Sequence, residues 1–146
     1  MKMEFLTLHK SLELLRERDV NLKKHLGQHF LIDHNGRDKV LSFAEPGQDD
    51  VVVEIGPGLG GMTDGYLEKV KDVYAFEIDK EFCGILRERF APYKNFHLIE
   101  KDFLEVPDRW WDNLPCRVKV IGNTPYYISS PIAFRILKYR NKIKLC

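Results

Sequence analysis

The sequence is poor in cysteine, and its cysteines form no recognisable site. The 146 residues include only three, Cys83, Cys116 and Cys146. They are far apart and form neither a C-x-x-C pair nor a zinc-ligand spacing, which predicts a reduced, cytoplasmic protein without disulfides. His25 and His29 have the spacing of metal ligands on a helix, but Gly27 stands between them and a third ligand is missing. We therefore expect no metal.

The sequence also lacks a long apolar run, a targeting signal and an excess of charge. No stretch is long enough to span a membrane, the N-terminus has no signal-peptide core, and Cys146 ends the chain without a lipidation motif. The formal net charge is +1, so any contact with nucleic acid must come from local basic patches. With 44% hydrophobic residues, the chain can bury one ordinary core. These features predict a soluble globular protein with no membrane partner.

A glycine-rich segment is the most prominent feature that is present. Residues 51–55 are Val-Val-Val-Glu-Ile, and Gly56-Pro-Gly-Leu-Gly-Gly61 follows. This order is typical of a buried strand that runs through a tight loop into a helix. Gly56, Gly58 and Gly60 fit the spacing of S-adenosylmethionine sites, whereas Gly56, Gly58 and Gly61 fit that of dinucleotide sites. Taken alone, the pattern also fits a simple tight turn.

The rest of the chain alternates between helical and strand patterns. Helices are predicted over residues 4–18, 37–44, 60–70, 81–90 and 130–137, and strands over residues 51–55, 72–79, 96–99 and 118–121. Asp33 or Asn35 is expected to cap the second helix, and Trp110 and Trp111 to lie in a partly exposed connection in which their aromatic rings are buried. Alternation of this kind predicts an α/β fold with a mostly parallel sheet flanked by helices.

Polar residues follow three of the predicted strands. Glu77 ends the second strand, Asp102 follows the third, and Asn123-Thr-Pro-Tyr126 follows the fourth. The carboxyl ends of parallel strands share one edge, where open α/β sheets bind ligands. An acid about twenty residues after the glycines suits a ribose, so Glu77 is a candidate ligand residue. The alternative is a solvated carboxylate at the end of a strand.

Four segments, taken in order, resemble one family. They are Gly27-Gln-His-Phe-Leu31, Glu54-Ile-Gly-Pro-Gly-Leu-Gly60, Glu77-Ile-Asp79 and Ile121-Gly-Asn-Thr-Pro-Tyr-Tyr-Ile-Ser-Ser-Pro-Ile132. Over about residues 23–137 the chain resembles the ribosomal RNA adenine N(6)-dimethyltransferases. The resemblance implies a Rossmann-like methyltransferase fold in residues 21–146, preceded by a helical appendage in residues 1–20. It also implies S-adenosylmethionine as cofactor, and small-subunit ribosomal RNA or a pre-ribosomal particle as partner.

The resemblance also implies a set of cofactor contacts. The residues concerned are His29, Leu31, Gly56, Gly58, Glu77, Asp102 and Asn123. His29 and Leu31 would line the site, and Gly56 would lie against the methionine portion. Glu77 would bind the ribose and Asp102 the adenine amino group.

Asn123, Thr124, Pro125 and Tyr126 would form the catalytic segment. The side-chain carbonyl of Asn123 and the backbone carbonyl of Thr124 would accept the hydrogens of the target amine, and Tyr126 would stack on the base, which must be unstacked to be reached. The family usually has Leu where Thr124 stands. Since the role of this residue belongs to its backbone, we expect the role to be retained.

The end of the chain departs from the family. Relatives continue with further strands and a small helical domain, so we expect an incomplete sheet in which the fourth strand is an exposed apolar edge. The basic tail contains Arg135, Lys138, Arg140, Lys142 and Lys144, which fits phosphate contacts or a solvated helix end. Two other functions stay open: an inactive RNA- or ribosome-binding remnant that keeps the cofactor pocket, and a nicotinamide enzyme, against which the Asn-Thr-Pro-Tyr segment argues.

Overall fold

A five-stranded sheet forms the centre of the molecule. The computed structural model describes residues 5–20, 34–122 and 126–146, with the backbone alone at positions 34 and 126–129. The strands are β1 (Val51–Ile55), β2 (Asp72–Phe76), β3 (Phe96–Ile99), β4 (Val118–Gly122) and β5 (Ile143–Leu145). Their order is β3-β2-β1-β4-β5, and every pair is parallel. The predicted α/β class with a parallel sheet is confirmed.

Helices flank the sheet. They are α1 (Leu8–Glu17), α2 (His34–Ala44), α3 (Lys80–Phe90), α4 (Asp108–Asp112) and α5 (Tyr126–Lys138). Short 3-10 helices lie at Thr63–Gly65, Leu67–Lys69, Phe103–Glu105 and Arg140–Lys142. No helix within these described stretches has the length and apolar character needed to cross a membrane.

The central strand β1 is buried along its whole length because both of its faces are covered. Successive side chains of a strand point to opposite faces. Val51 and Val53 accordingly join a core that includes Trp111 and Tyr139, whereas Val52 joins a second core with Leu86. Trp111 is completely buried in α4, and its ring stacks on that of Tyr139. The partly exposed connection predicted there is therefore a short helix with a core residue.

The helix predicted over residues 60–70 is wrong, because two 3-10 helices replace it. Tertiary contacts hold this segment out of α-helical geometry. The hydroxyl groups of Thr63 and Tyr66 both bind the carboxylate of Glu54 on β1. Gly65 lies against Leu41 of α2, where a Cβ would come within 2.5 Å of Leu41 Cδ1. Local glycine and threonine content also favours short turns over a regular helix.

The exposed fourth strand is a second wrong prediction, since β5 covers it. Val118 pairs with Ile143 and Lys119 with Leu145, across a small irregularity in register. Asp50 holds the new strand, because its carboxylate binds the amino groups of both Lys119 and Lys144. The edge of the described sheet on this side, opposite β3, is therefore a strand of only three residues.

Three members of the basic tail contact the protein itself. Arg135 donates to the carbonyl of Val106, and Lys138 binds Asp108 at 3.0 Å. Lys144 is the partner of Asp50. The tail is thus partly engaged inside the molecule, which reduces the basic surface available to phosphates.

Several element boundaries differ from the predictions. Helix α5 begins at Tyr126 and contains Pro131, which was expected at its start. Asn35 lies inside α2 and does not cap it, and Asp33 is outside the described residues. Strand β2 ends at Phe76, because the next three residues form the turn described below.

Candidate cofactor site

The register of the sheet brings the carboxyl ends of its strands to one edge. Ile55 pairs with Phe76 of β2 and with Gly122 of β4, and Phe76 pairs with Ile99 of β3. The described residues that follow these positions therefore leave the sheet at the same level. Gly56 and Glu77 are two of them, so the sheet itself brings the glycine loop and the acid together.

The glycine loop has the backbone that its sequence predicts. Gly56, Gly58 and Gly60 have φ values of +66°, +58° and +86°, which L side chains rarely adopt. The Gly56 N–H donates to the carbonyl of Phe76 at 2.9 Å, and the Gly60 N–H closes a turn on Pro57 at 2.9 Å. A Cβ placed on Gly56 would meet no atom of the described residues within 4 Å. The loop thus presents open backbone at the edge of the sheet.

Glu77 joins the end of β2 to this loop. One carboxylate oxygen, Oε2, accepts the Gly58 N–H at 3.1 Å. The other, Oε1, accepts the N–H groups of Ile78 and Asp79 at 2.9 and 3.0 Å. The residue is 6% exposed, and burial raises the pKa of its carboxyl although the three backbone hydrogen bonds oppose that shift. A carboxylate offers about four lone-pair positions, so with respect to the described residues Oε2 can accept one further donor.

Asp102 lies at the same edge, three residues beyond the end of β3. Its Oδ1 accepts the N–H of Leu104 at 2.9 Å and so caps the 3-10 helix at Phe103–Glu105. The residue is partly exposed. Its carboxylate is therefore held in place by the backbone and is accessible to a ligand, as the suggested contact with an adenine amino group requires.

Sequence reasoning missed Glu54, the buried carboxyl beneath the glycine loop. It accepts the Thr63 hydroxyl at 2.6 Å and the Tyr66 hydroxyl, and it is 2% exposed. Burial raises the pKa of Glu54 to about 7, against the hydrogen bonds from Thr63 and Tyr66. An acid within a strand that is otherwise wholly apolar was the available signal, because a buried carboxyl needs partners.

Several expected site residues lie outside the described part of the chain. They are His29, Leu31, Asn123, Thr124 and Pro125, and the side chain of Tyr126 is likewise outside it. The chain leaves β4 at Gly122, beside Ile55, and is described again from Tyr126, where α5 starts. Within the described ranges, no three His, Cys, Asp or Glu side chains are grouped as a metal site.

Comparison with known proteins places these features in one family. The family described as "Ribosomal RNA adenine dimethylase" matches residues 19–145. The ribosomal RNA small subunit methyltransferase A of Lactococcus lactis is 43% identical over 132 residues, which cover 86% of this chain and 44% of that protein. The protein of the same name from Syntrophus aciditrophicus is 41% identical over 133 residues, covering 90% and 48%. The chain spans about half the length of these relatives.

Solved structures agree with this fold. A dimethyladenosine transferase from Plasmodium falciparum is 29% identical with a TM-score of 0.69, covering 80% of this chain and 42% of that one. The 23S rRNA methyltransferase ErmE is 29% identical with a TM-score of 0.67, covering 76% and 43%. The fold is therefore the Rossmann-like methyltransferase fold, and the chain belongs to the ribosomal RNA adenine dimethylase family.

Proposed function

We propose that this chain binds S-adenosylmethionine and transfers methyl groups to the exocyclic amine of adenosine in small-subunit ribosomal RNA, as an adenine N(6)-dimethyltransferase. The observation that carries the proposal is the placement of the Glu77 carboxylate against the amide of Gly58, beside the open backbone of Gly56. The names of the relatives, which are ribosomal RNA methyltransferases, support the substrate class.

The described residues suit S-adenosylmethionine because each of them offers a group that can contact one portion of the cofactor. The open side of Gly56 admits a chain close to the backbone, as the methionine portion requires. The free position on Glu77 suits a ribose hydroxyl, which is a donor. The partly exposed carboxylate of Asp102 suits an amino group on the adenine ring.

The chemistry of transfer fits the segment that follows β4. An adenine amine is a weak nucleophile because its lone pair is delocalised into the ring. When bound, S-adenosylmethionine supplies a methyl group on a positively charged sulfonium, which is a good leaving group, so no metal is required. Asn123 and the Thr124 carbonyl would accept the two amine hydrogens and aim the nitrogen, with Tyr126 stacked on the base. Positioning and exclusion of water are then the main contributions of the protein.

Calorimetric titration with S-adenosylmethionine tests the cofactor assignment. We expect saturable binding by the unaltered chain and binding that is weaker by roughly 10- to 100-fold in Glu77→Ala, the range for losing a hydrogen bond to a charged group. Asp49→Ala is the matched control, because it removes an exposed carboxylate at the amino end of β1, away from the site. Equal affinity of Glu77→Ala and the unaltered chain would contradict the assignment.

Methylation of under-methylated small subunits tests the catalytic segment. Asn123→Ala should lose methyl transfer by at least ~100-fold, the usual effect of removing a transition-state hydrogen bond, and should still bind cofactor. Thr124→Leu should retain transfer, because the assigned group is a backbone carbonyl. Turnover by Asn123→Ala would refute the role of Asn123.

The second candidate is a catalytically inactive RNA- or ribosome-binding remnant that keeps the cofactor pocket, which the contact between Glu77 and Gly58 supports equally well. Filter binding of ribosomal RNA, run beside the methylation assay, separates the two functions. RNA retention without label transfer would identify a remnant.

A further inference from the structure

The tip of the glycine loop is buried against residues 5–20. Leu59 is 2% exposed and belongs to a separate apolar cluster. The N-terminal members of that cluster are Leu6, Leu15 and Val20, and α3 contributes Phe82 and Ile85. The loop therefore has an open side at the edge of the sheet and a covered side under the N-terminal residues.

A buried carboxylate reinforces this contact. Asp64, in the 3-10 helix at Thr63–Gly65, accepts the Leu6 N–H at 2.9 Å. The same carboxylate receives the Arg89 guanidinium of α3 at 2.8 and 2.9 Å, and Arg89 also donates to the carbonyl of Leu59. The Asp64 side chain is fully buried and that of Arg89 is 14% exposed, so water competes little for these hydrogen bonds. The N-terminal segment, the loop and α3 thus share one polar contact.

The covering segment has a defined shape of its own. Thr7 caps the start of α1 by accepting the Lys10 N–H. At the other end Asp19 takes a positive φ of 51°, and the Val20 N–H returns to the Leu15 carbonyl at 3.0 Å. This is a Schellman ending, which brings Val20 and Leu15 to the same apolar cluster. The segment is therefore a capped helix that is held in place at both ends.

We propose that residues 5–20, here called the N-terminal brace, are part of the cofactor machinery, because they hold the glycine loop in the conformation that binds. The inference rests on the proposed function. The family match begins at residue 19, so nearly all of the brace lies outside it. A loop with three positive-φ glycines loses conformational freedom when it binds a ligand. A loop that is already ordered loses less, and its affinity for the ligand is higher.

Paired truncations of buried side chains test the brace. Leu15→Ala removes a brace residue that is 3% exposed, and Ile143→Ala removes a residue of β5 that is 7% exposed and far along the sheet from the loop. Affinity for S-adenosylmethionine and the thermal midpoint are measured for both variants. We expect both midpoints to fall and only Leu15→Ala to bind more weakly, by roughly 5- to 150-fold, the usual range of coupling between sites. Hydrogen exchange of the loop amides should quicken only in Leu15→Ala.

The outcomes separate the brace from the proposed function. Absence of binding by the unaltered chain overturns the proposed function and the inference with it. Binding by the unaltered chain and equal binding by folded Leu15→Ala overturn the brace alone. If Leu15→Ala does not fold, Leu15→Val, a smaller truncation, takes its place with the same expectations. A loss of affinity in Ile143→Ala equal to that in Leu15→Ala would also overturn the brace, because the effect would then be one of general stability.

Discussion

Gly56 and Gly60 share a backbone requirement but have different surroundings. Both adopt positive φ, at +66° and +86°. A Cβ on Gly60 would lie 2.6 Å from the Phe90 ring and 2.8 Å from Arg89 Nη1, whereas one on Gly56 would meet no atom within 4 Å in the part of the chain that the structure describes. Gly60 is therefore required for packing, and Gly56 keeps space open at the edge of the sheet.

Alanine at these two positions should separate stability from binding. Gly60→Ala should lower the free energy of unfolding by roughly 3 kcal/mol, from left-handed strain together with overpacking. Gly56→Ala introduces the backbone strain alone and should lower the free energy of unfolding by about 1 to 2 kcal/mol. Its new methyl group should also weaken cofactor binding. Urea unfolding and calorimetric titration measure the two effects. Equal losses of stability would contradict the assigned difference in packing.

The sequence predicted site residues where they follow strands. Gly56, Gly58, Glu77 and Asp102 do lie at the carboxyl edge, because strand ends are visible as changes in residue type. Their assigned cofactor roles stay predictions. The contact between Asp64 and Arg89 was not predictable, since the pairing of distant charged side chains has no local pattern.

At the scale of elements, Glu54 links β1 to the 3-10 helices beyond the glycine loop. Its carboxyl lies on the strand before the loop, and Thr63 and Tyr66 bring their hydroxyl groups to it from the other side. The loop is therefore closed at its base by a buried acid. Asp64 and Glu77 are the nearby acids that raise its pKa further.

Glu54→Gln should change how stability depends on pH. The folded pKa of Glu54 is about 7, above the ordinary value of 4.5. Its contribution to stability is therefore full below about pH 4.5 and falls as the pH rises to about 7. The neutral side chain of the variant does not titrate. The free energy of unfolding of Glu54→Gln, relative to that of the unaltered chain, should therefore rise by on the order of 3 kcal/mol between pH 4.5 and pH 8.

Urea unfolding at several pH values in that window measures the difference between the two chains. Glu77 and Asp64 also have raised pKa values. Both chains will therefore lose stability as the pH rises, and only the difference between them reports on Glu54. Parallel profiles would show that Glu54 does not titrate in this range.

Elements were predicted well where local pattern and tertiary contact agree. β1 and β3 have the predicted limits because apolar residues stand at both ends of each strand. β5 was missed because it has only three residues, one of them Lys144, and so short a segment has no strand pattern of its own. It forms because Val118 and Asp50 provide a partner strand and a counter-charge.

At the scale of the whole molecule, Asp50, just before β1, forms ion pairs with Lys119 of β4 and Lys144 of β5. Burial raises its pKa, but hydrogen bonds from Lys119 and Lys144 and from the Gly47 N–H outweigh burial and lower the pKa to about 2. One carboxylate thus holds the chain before β1, the strand β4 and the strand β5 together.

Asp50→Asn should destabilise the whole fold near neutral pH. Because the folded pKa is about 2 and the ordinary value is 3.8, the contribution of Asp50 is full above about pH 4 and is lost as the pH falls towards 2. We expect the free energy of unfolding of Asp50→Asn to be lower than that of the unaltered chain by on the order of 2 kcal/mol at pH 7. This difference should become smaller below pH 4. Asp49→Asn, at an exposed neighbour, should have no effect. A loss in Asp50→Asn that stays constant down to pH 2 would contradict the ionic explanation.

The position of β1 at the centre of the sheet has a consequence for the chain during its synthesis. β1 pairs with β2, which follows it closely in the sequence, and with β4, which comes much later. Val52, for example, pairs with Lys119. A nascent chain can assemble β1, β2 and β3 once residue 99 has left the ribosome. Until β4 emerges, the most buried strand of the finished protein has an open edge, which can pair wrongly with another chain. The interval in which residues 100–122 emerge from the ribosome is therefore a time at which the chain is prone to aggregate.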